Sequence, residues 1–96
     1  MAKRFRNAIG PQVRKLRVER GWTQDQLAAK IQLAGLEFDR VTVAKVESQI
    51  RSVYDFEVVV LAEALEIEPR DLLPNLTKLD SDLEALVAGR TPLPTD

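Results

Sequence analysis

Asp39-Arg-Val-Thr-Val-Ala-Lys-Val-Glu47 is the stretch that decides the fold. Asp39 is a favourable helix N-cap, because its carboxylate can accept hydrogen bonds from the free amides of the first turn. In the helix that follows, Val43 and Val46 lie three residues apart with Glu47 beside them, so these three residues share one face. Because a short helix rich in β-branched residues is only weakly stable by itself, we expect neighbouring helices to support it.

The opposite face and the start of this helix carry Arg40, Val41, Thr42 and Lys45. Their chemistry matches the base edges of the DNA major groove: Arg and Lys donate to guanine, Thr contacts a base or a phosphate, and Val packs on a thymine methyl. We therefore predict that these four residues read bases. The alternative is that the two cations are merely solvated and that the threonine hydroxyl bonds within its own helix.

Composition excludes several classes of function. A chain of 96 residues is expected to form one domain, and the absence of Cys and His removes disulfides, thiolate metal sites and the commonest general base. No signal peptide is recognisable, and no apolar run approaches the ~18 residues of a membrane span. We therefore predict a cytoplasmic protein that is not an enzyme, with no cofactor, metal, membrane or small-molecule ligand.

Charge is distributed unevenly along the chain. The net charge is −1, but residues 1–51 hold 11 Lys and Arg against 5 Asp and Glu, whereas residues 52–96 hold 3 against 10. The first half thus carries +6 and the second −7. This asymmetry favours a basic face for a polyanion and an acidic region turned away from it, with scattered solvated charge as the alternative.

Other helices follow from caps and apolar periodicity. Gly10 is predicted to cap a first helix that begins at Pro11, and Thr23 with Gln26 forms a capping box for a second. Glycines 21 and 35 are expected to end these two helices. The sequence further predicts a fourth helix at about Asp55–Glu66, a short fifth from Pro69 to Pro74, and a sixth over 77–88.

Apolar residues in the later helices are assigned to the core. Phe56 and Val59 are predicted to widen the buried stripe of the fourth helix, and Leu72 and Leu73 to face the core from the fifth. Ser81 with Glu84 is predicted to form a capping box for the sixth helix. The apolar stripe of that helix is predicted to pair with a second subunit, and the alternative is that it folds back on the domain.

Two helices joined by a turn, the second short and cationic on its outer face, suggest a helix-turn-helix. In that arrangement the N-terminus of the preceding helix abuts a phosphate, so Thr23 and Gln24 are predicted phosphate contacts. Arg51, just after the third helix, is predicted to be a further contact with the DNA backbone.

The sequence resembles the Cro/repressor-type (Xre-like) helix-turn-helix family over about residues 9–74. The resemblance rests on Ile9-Gly10, Val13, Leu16-Arg17, Glu19-Arg20-Gly21, Thr23-Gln24, Leu27-Ala28, Thr42-Val43, Lys45-Val46-Glu47, Leu61-Ala62, Ala64-Leu65 and Leu72-Leu73. It implies an all-α, lambda-repressor-like bundle of five helices, followed here by a short C-terminal amphipathic helix. It also implies a bacterial or phage transcription regulator, usually a repressor, that binds double-stranded DNA as a homodimer. The resemblance further implies that Arg17 and Glu47 pair between the first helix and the end of the third, and that this ion pair is structural and does not contact DNA.

Two departures from the family pattern stand out. The 20 residues from Leu27 to Glu47 exceed the usual spacing by about one helical turn, so either the second helix extends or the turn loops outward. Tyr54 occupies the position where the family often has a Ser or Thr that caps the fourth helix. Asp55 is the candidate residue to cap this helix in its place.

The predicted organisation has four segments: a basic N-terminal arm (1–8), the helix-turn-helix domain (9–74), a C-terminal helix that could dimerise (75–89) and a disordered tail (90–96). The arm either touches phosphates or only solubilises the chain. The alternative function is a protein-interaction module of the same fold, an antitoxin or adaptor with little sequence-specific DNA binding.

Overall fold

The computed structural model describes residues 3–90, and the predicted tail from 91 onward lies outside them. The described residues form five α-helices, one 3-10 turn and no strand, in the order α1 (Gly10–Glu19), α2 (Gln24–Leu33), α3 (Arg40–Glu47), α4 (Asp55–Leu65), the 3-10 turn (Pro69–Asp71) and α5 (Leu76–Gly89). The predicted all-α, lambda-repressor-like helix-turn-helix fold is confirmed. The short fifth helix of the prediction is a single 3-10 turn.

The core is formed where α2 packs against α3 and α4 while α1 packs against α3. Its largest fully buried side chains are Val13, Leu27, Ile31, Val43, Val46, Leu61, Leu65 and Leu72. Every α-helix from α1 to α4 contributes to this set, so α3 is supported on its inner face by tertiary packing rather than by its own helix propensity.

The turns that flank α2 follow the predicted local chemistry. Gln26 N donates to Thr23 Oγ1 at 3.1 Å, and Thr23 N donates to Gln26 Oε1 at 2.8 Å, which completes the capping box. Gly35 follows α2 with φ +113°, a conformation that disfavours any side chain. Residues 34–39 then connect α2 to α3, a turn longer than the usual three or four residues.

The start of α1 was predicted one residue too late. The helix begins at Gly10, with Ile9 at the N-cap position, and Gly10 N donates to the side-chain Oδ1 of Asn7 at 2.8 Å. Asn7 therefore satisfies the helix start from three residues upstream. Gly10 instead marks a close approach, because a Cβ at this position would overlap Val46 O of α3.

Three residues assigned to the core are exposed. Phe56 and Val59 are 57% and 54% exposed, because α4 turns Glu57, Leu61 and Leu65 toward the core instead. Leu73 is 55% exposed, whereas Leu72 is fully buried. The chain turns toward Pro74 directly after the 3-10 turn, so only one of the two leucines faces inward.

The caps of the last two α-helices also differ from prediction. Asn75 caps α5 by accepting from Lys78 N at 2.9 Å, so Ser81 and Glu84 lie inside the helix and form no capping box. Tyr54, and not the predicted Asp55, occupies the N-cap position of α4, and the backbone N–H of Tyr54 donates to Glu57 Oε1 at 2.9 Å.

The basic N-terminal segment is attached to the domain from Phe5 onward. Phe5 N donates to Ala85 O of α5 at 2.9 Å, and Arg6 N donates to Gln49 O, just after α3, at 2.8 Å. The backbone of Phe5 lies so close to Gly89 that a Cβ on that glycine would overlap it. This segment therefore joins the C-terminal helix to the end of α3.

Candidate nucleic-acid interface

The N-terminus of α3 is capped by Asp39. Its Oδ1 accepts hydrogen bonds from the backbone N and the hydroxyl of Thr42, both at 2.8 Å. These two bonds hold the pKa of the Asp39 carboxyl below its ordinary value. The cap fixes where α3 begins, and the Thr42 oxygen keeps its lone pairs for accepting from a ligand.

The outer face of α3 is cationic and open to solvent. Arg40, Val41 and Lys45 are exposed, and Thr42 is half-buried. Within residues 3–90 neither Arg40 nor Lys45 forms a salt bridge. Two exposed cations outside any salt bridge of the described residues, beside an exposed valine, make this face suitable for an anionic ligand that also presents apolar groups.

The inner face of α3 is tied to α1 and α2 through Glu47. Arg17 Nε donates to Glu47 Oε2 at 2.6 Å and its Nη2 donates to Oε1 at 3.0 Å, with side-chain exposures of 12% for the arginine and 3% for the glutamate. The hydrogen bond to Glu47 raises the pKa of Arg17, so the guanidinium stays charged. Arg17 and Glu47 thus form a largely buried ion pair that joins α1 to the end of α3.

The two residues predicted to contact phosphates from α2 lie at its N-terminus, with their side chains partly engaged. Gln24 Nε2 donates to Glu47 Oε1 at 3.2 Å, and the Thr23 hydroxyl oxygen accepts within the capping box. Each side chain retains a donor, since an amide nitrogen carries two hydrogens and a hydroxyl can donate while it accepts. Their phosphate contacts stay predictions.

Arg51 lies in the connector between α3 and α4 with its guanidinium occupied. It forms a bidentate pair with Glu57 of α4, with both distances at 3.0 Å, and donates to Ser52 O at 2.9 Å. Burial raises the pKa of the Glu57 carboxyl, but hydrogen bonds from Arg51 and from Tyr54 N outweigh it and hold that pKa below its ordinary value. A phosphate contact by Arg51 stays a prediction.

Sequence reasoning missed two buried polar residues beside α3. Asn7 Nδ2 donates to Val46 O at 3.1 Å and to Arg51 O at 2.8 Å. Gln49 Nε2 donates to Asn7 O at 3.1 Å. An Asn just before a predicted helix was the one feature of the sequence that could have indicated the role of Asn7, since Asn is favoured at helix starts. Apart from Gly10 N, the hydrogen-bond partners named for both side chains are about 40 positions away, and no local pattern shows them.

Comparison with known proteins is consistent with this arrangement. A sequence profile described as helix-turn-helix matches residues 13–72, which run from within α1 to just past the 3-10 turn. This is the Cro/repressor type of helix-turn-helix. The chain belongs to this helix-turn-helix family. It is therefore a DNA-binding transcription regulator.

This helix-turn-helix protein is similar to a solved structure over about two thirds of its length. That structure is the restriction-modification controller protein C.AhdI from Aeromonas hydrophila, with 42% identity and a TM-score of 0.57 over 68% of this chain and 87% of the other. Among curated proteins, none matches the chain significantly.

Residues 3–90 contain neither a candidate metal site nor a candidate membrane-spanning helix. No group of His, Cys, Asp and Glu in this range is arranged to hold a metal ion. None of the helices there combines the length and the apolar character needed to cross a membrane.

Proposed function

We propose that this helix-turn-helix protein binds a specific operator as a homodimer, with α3 as the recognition helix in the major groove, and thereby represses transcription in the cytoplasm. The observation that carries the proposal is the outer face of α3, where Arg40 and Lys45 are exposed and form no salt bridge within residues 3–90, while Glu47 anchors the inner face. The similarity to a restriction-modification controller supports a regulatory role of that kind.

In the proposed complex the residues divide into base-reading and phosphate-binding groups. Arg40, Val41, Thr42 and Lys45 read base edges, because Arg and Lys recognise guanine and Val packs on a thymine methyl. Thr23 and Gln24 contact phosphate at the positive N-terminus of α2. These phosphate contacts fix the register of α3 without reading sequence.

We propose that α5 supplies the dimer interface. Leu76, Leu83 and Val87 are 78%, 44% and 45% exposed, and burying such side chains against a second copy is favourable. A two-fold dimer would present two copies of α3 to half-sites one DNA turn apart, roughly 34 Å centre to centre. A bound sequence with dyad symmetry is therefore expected.

The experiment is a selection of bound duplexes from a randomised pool, followed by fluorescence-anisotropy titrations at two salt concentrations. We expect an enriched motif with dyad symmetry. Arg40→Ala should weaken binding to that motif by ~1–3 kcal/mol and relax the preference at one base position, whereas Gln24→Ala should weaken all duplexes alike.

Arg70→Ala is the matched control, because Arg70 is an exposed cation of the 3-10 turn outside the proposed interface. It should leave both affinity and preference unchanged. An equal loss for Arg40→Ala on the motif and on random duplexes would contradict base reading by Arg40.

A second candidate function is a protein-interaction module of this fold, an antitoxin or adaptor. The observation that favours it is an exposed aromatic pair at the start of α4: the rings of Tyr54 and Phe56 stack with centroids 5.6 Å apart, and both residues are more than half exposed. Weak, salt-sensitive binding without an enriched motif would support this candidate instead.

A further inference from the structure

We propose that Arg51 is a positioning residue for the recognition helix. Its guanidinium holds the long connector that precedes α3, and so sets the angle at which α3 enters the major groove. This inference rests on the proposed docking of α3 in DNA, and it replaces the predicted phosphate contact of Arg51 with a role inside the protein.

The guanidinium is clamped in one orientation. Its Nη1 and Nη2 donate to the two carboxylate oxygens of Glu57 at 3.0 Å each, and Nη1 donates a second hydrogen to Ser52 O at 2.9 Å. The Glu57 side chain is only 7% exposed. A planar, bidentate pair with one partner buried has little freedom to swing toward a phosphate.

One face of the guanidinium covers Phe38, the last residue before the cap of α3. The central carbon of the guanidinium lies 4.8 Å from the centroid of the Phe38 ring, and Phe38 is 3% exposed. Gln32 Nε2 of α2 donates to Phe38 O at 2.7 Å. The connector from α2 to α3 is thus held at the end next to α3, directly before Asp39, despite its extra length.

The backbone of Arg51 is connected to the other end of α3. Arg51 O accepts from Asn7 Nδ2 at 2.8 Å, and the same amide nitrogen donates to Val46 O in the last turn of α3 at 3.1 Å. Arg51 therefore contacts Phe38, just before the cap of α3, through its side chain, and its backbone oxygen shares the Asn7 amide with Val46 in the last turn of α3. A shift of Arg51 would tilt α3 as a unit.

Substitution of Glu57 separates this role from a phosphate contact. Glu57→Gln removes a negative charge and breaks the bidentate pair, because an amide NH₂ would face the arginine donors. If Arg51 binds phosphate, a released Arg51 strengthens binding to every duplex. If Arg51 positions α3, the same substitution weakens binding to the operator and leaves random duplexes unaffected.

The test uses the full chain with Glu57→Gln, Arg51→Lys and the matched control Glu63→Gln, an exposed carboxylate of the same helix. Anisotropy is measured on the selected operator and on a random duplex over a salt series. We expect operator affinity to fall roughly tenfold for the first two variants, comparable to the loss of one base contact. Random-duplex affinity and the salt slope should stay constant, and the control should behave as wild type.

Operator affinity preserved in Arg51→Lys, or tighter binding of both duplexes by Glu57→Gln, would overturn the positioning role. Arg51→Gln adds a check, since loss of a phosphate contact would lower the salt slope by about 0.9.

Amide hydrogen exchange in the free protein tests the clamp without DNA. Thr42 N and Val43 N bond to the side chain and backbone of Asp39. Their exchange should accelerate in Glu57→Gln and not in Glu63→Gln, and unchanged exchange would refute the clamp. If wild type selects no operator while exchange accelerates, the proposed DNA recognition fails and the clamp stands.

Discussion

Glu47→Gln should destabilise the fold far more than a surface carboxylate substitution. Glu47 accepts three hydrogen bonds, two from Arg17 and one from Gln24, and its side chain is 3% exposed. Glutamine keeps the size of the side chain, so no cavity is introduced. It turns one acceptor into a donor and leaves the charge of Arg17, itself only 12% exposed, without a counter-ion.

The expected magnitude follows from the burial of the pair. Removing one partner of a buried ion pair typically costs 3–5 kcal/mol, and because Arg17 keeps a hydrogen bond to Trp22 O at 2.8 Å we expect a loss near the lower end, about 3 kcal/mol. For a domain of this size each kcal/mol corresponds to roughly 4–8 °C, so Tm should fall by at least ~12 °C.

The assay is guanidinium denaturation at pH 7, followed by the fluorescence of Trp22, the one tryptophan in the chain. The m-value should stay constant while the midpoint falls, which isolates a change in stability. Glu19→Gln is the control, since that carboxylate lies 4.0 Å from Lys15 and both side chains are more than half exposed. It should change stability by less than about 0.5 kcal/mol.

A loss below about 1 kcal/mol for Glu47→Gln would refute the reasoning, because it would match a solvated surface pair. The double variant Arg17→Met with Glu47→Leu is a second check. It should recover most of the lost stability, since apolar residues of similar size often replace a buried pair without cost.

Two other substitutions test the tertiary contacts around α3. Gly10→Ala should destabilise the fold by about 2 kcal/mol through overlap with Val46 O, although alanine normally favours a helix, and a denaturation midpoint at or above wild type would contradict this. The pKa of Glu57 is held below its unfolded value, so its contribution to stability is complete above about pH 5 and disappears as pH falls through the folded pKa. Between pH 7 and pH 3 the free energy of unfolding should therefore fall less for Glu57→Gln than for wild type. An equal fall in both proteins would exclude a depressed pKa for Glu57.

Local features of the fold could be predicted because their partners lie within one helical turn. Asp39 caps through Thr42, and Thr23 and Gln26 satisfy each other, with both pairs separated by three residues. Gly35 adopts the positive φ that its position after α2 suggested. Apolar periodicity likewise predicted the buried face of α3, where Val43 and Val46 are each 1% exposed. The sequence thus determined the helix order and the cationic outer face of α3.

Which α4 residues enter the core depended on tertiary structure. Hydrophobicity assigned Phe56 to the interior, yet Phe56 is 57% exposed and Glu57 is 5% exposed. The inversion is possible because Arg51 supplies a counter-charge and Tyr54 N supplies a further hydrogen bond, so the buried carboxylate is satisfied. No periodic pattern reveals such compensation.

Long-range pairing decided what surrounds the recognition helix. Asn7 bonds to residues 39 and 44 positions away, and Gly10 is required where α1 crosses the end of α3. Capping and periodicity act over three or four residues and are therefore visible in the sequence. The orientation of α3 is set by contacts between segments that only the folded chain brings together.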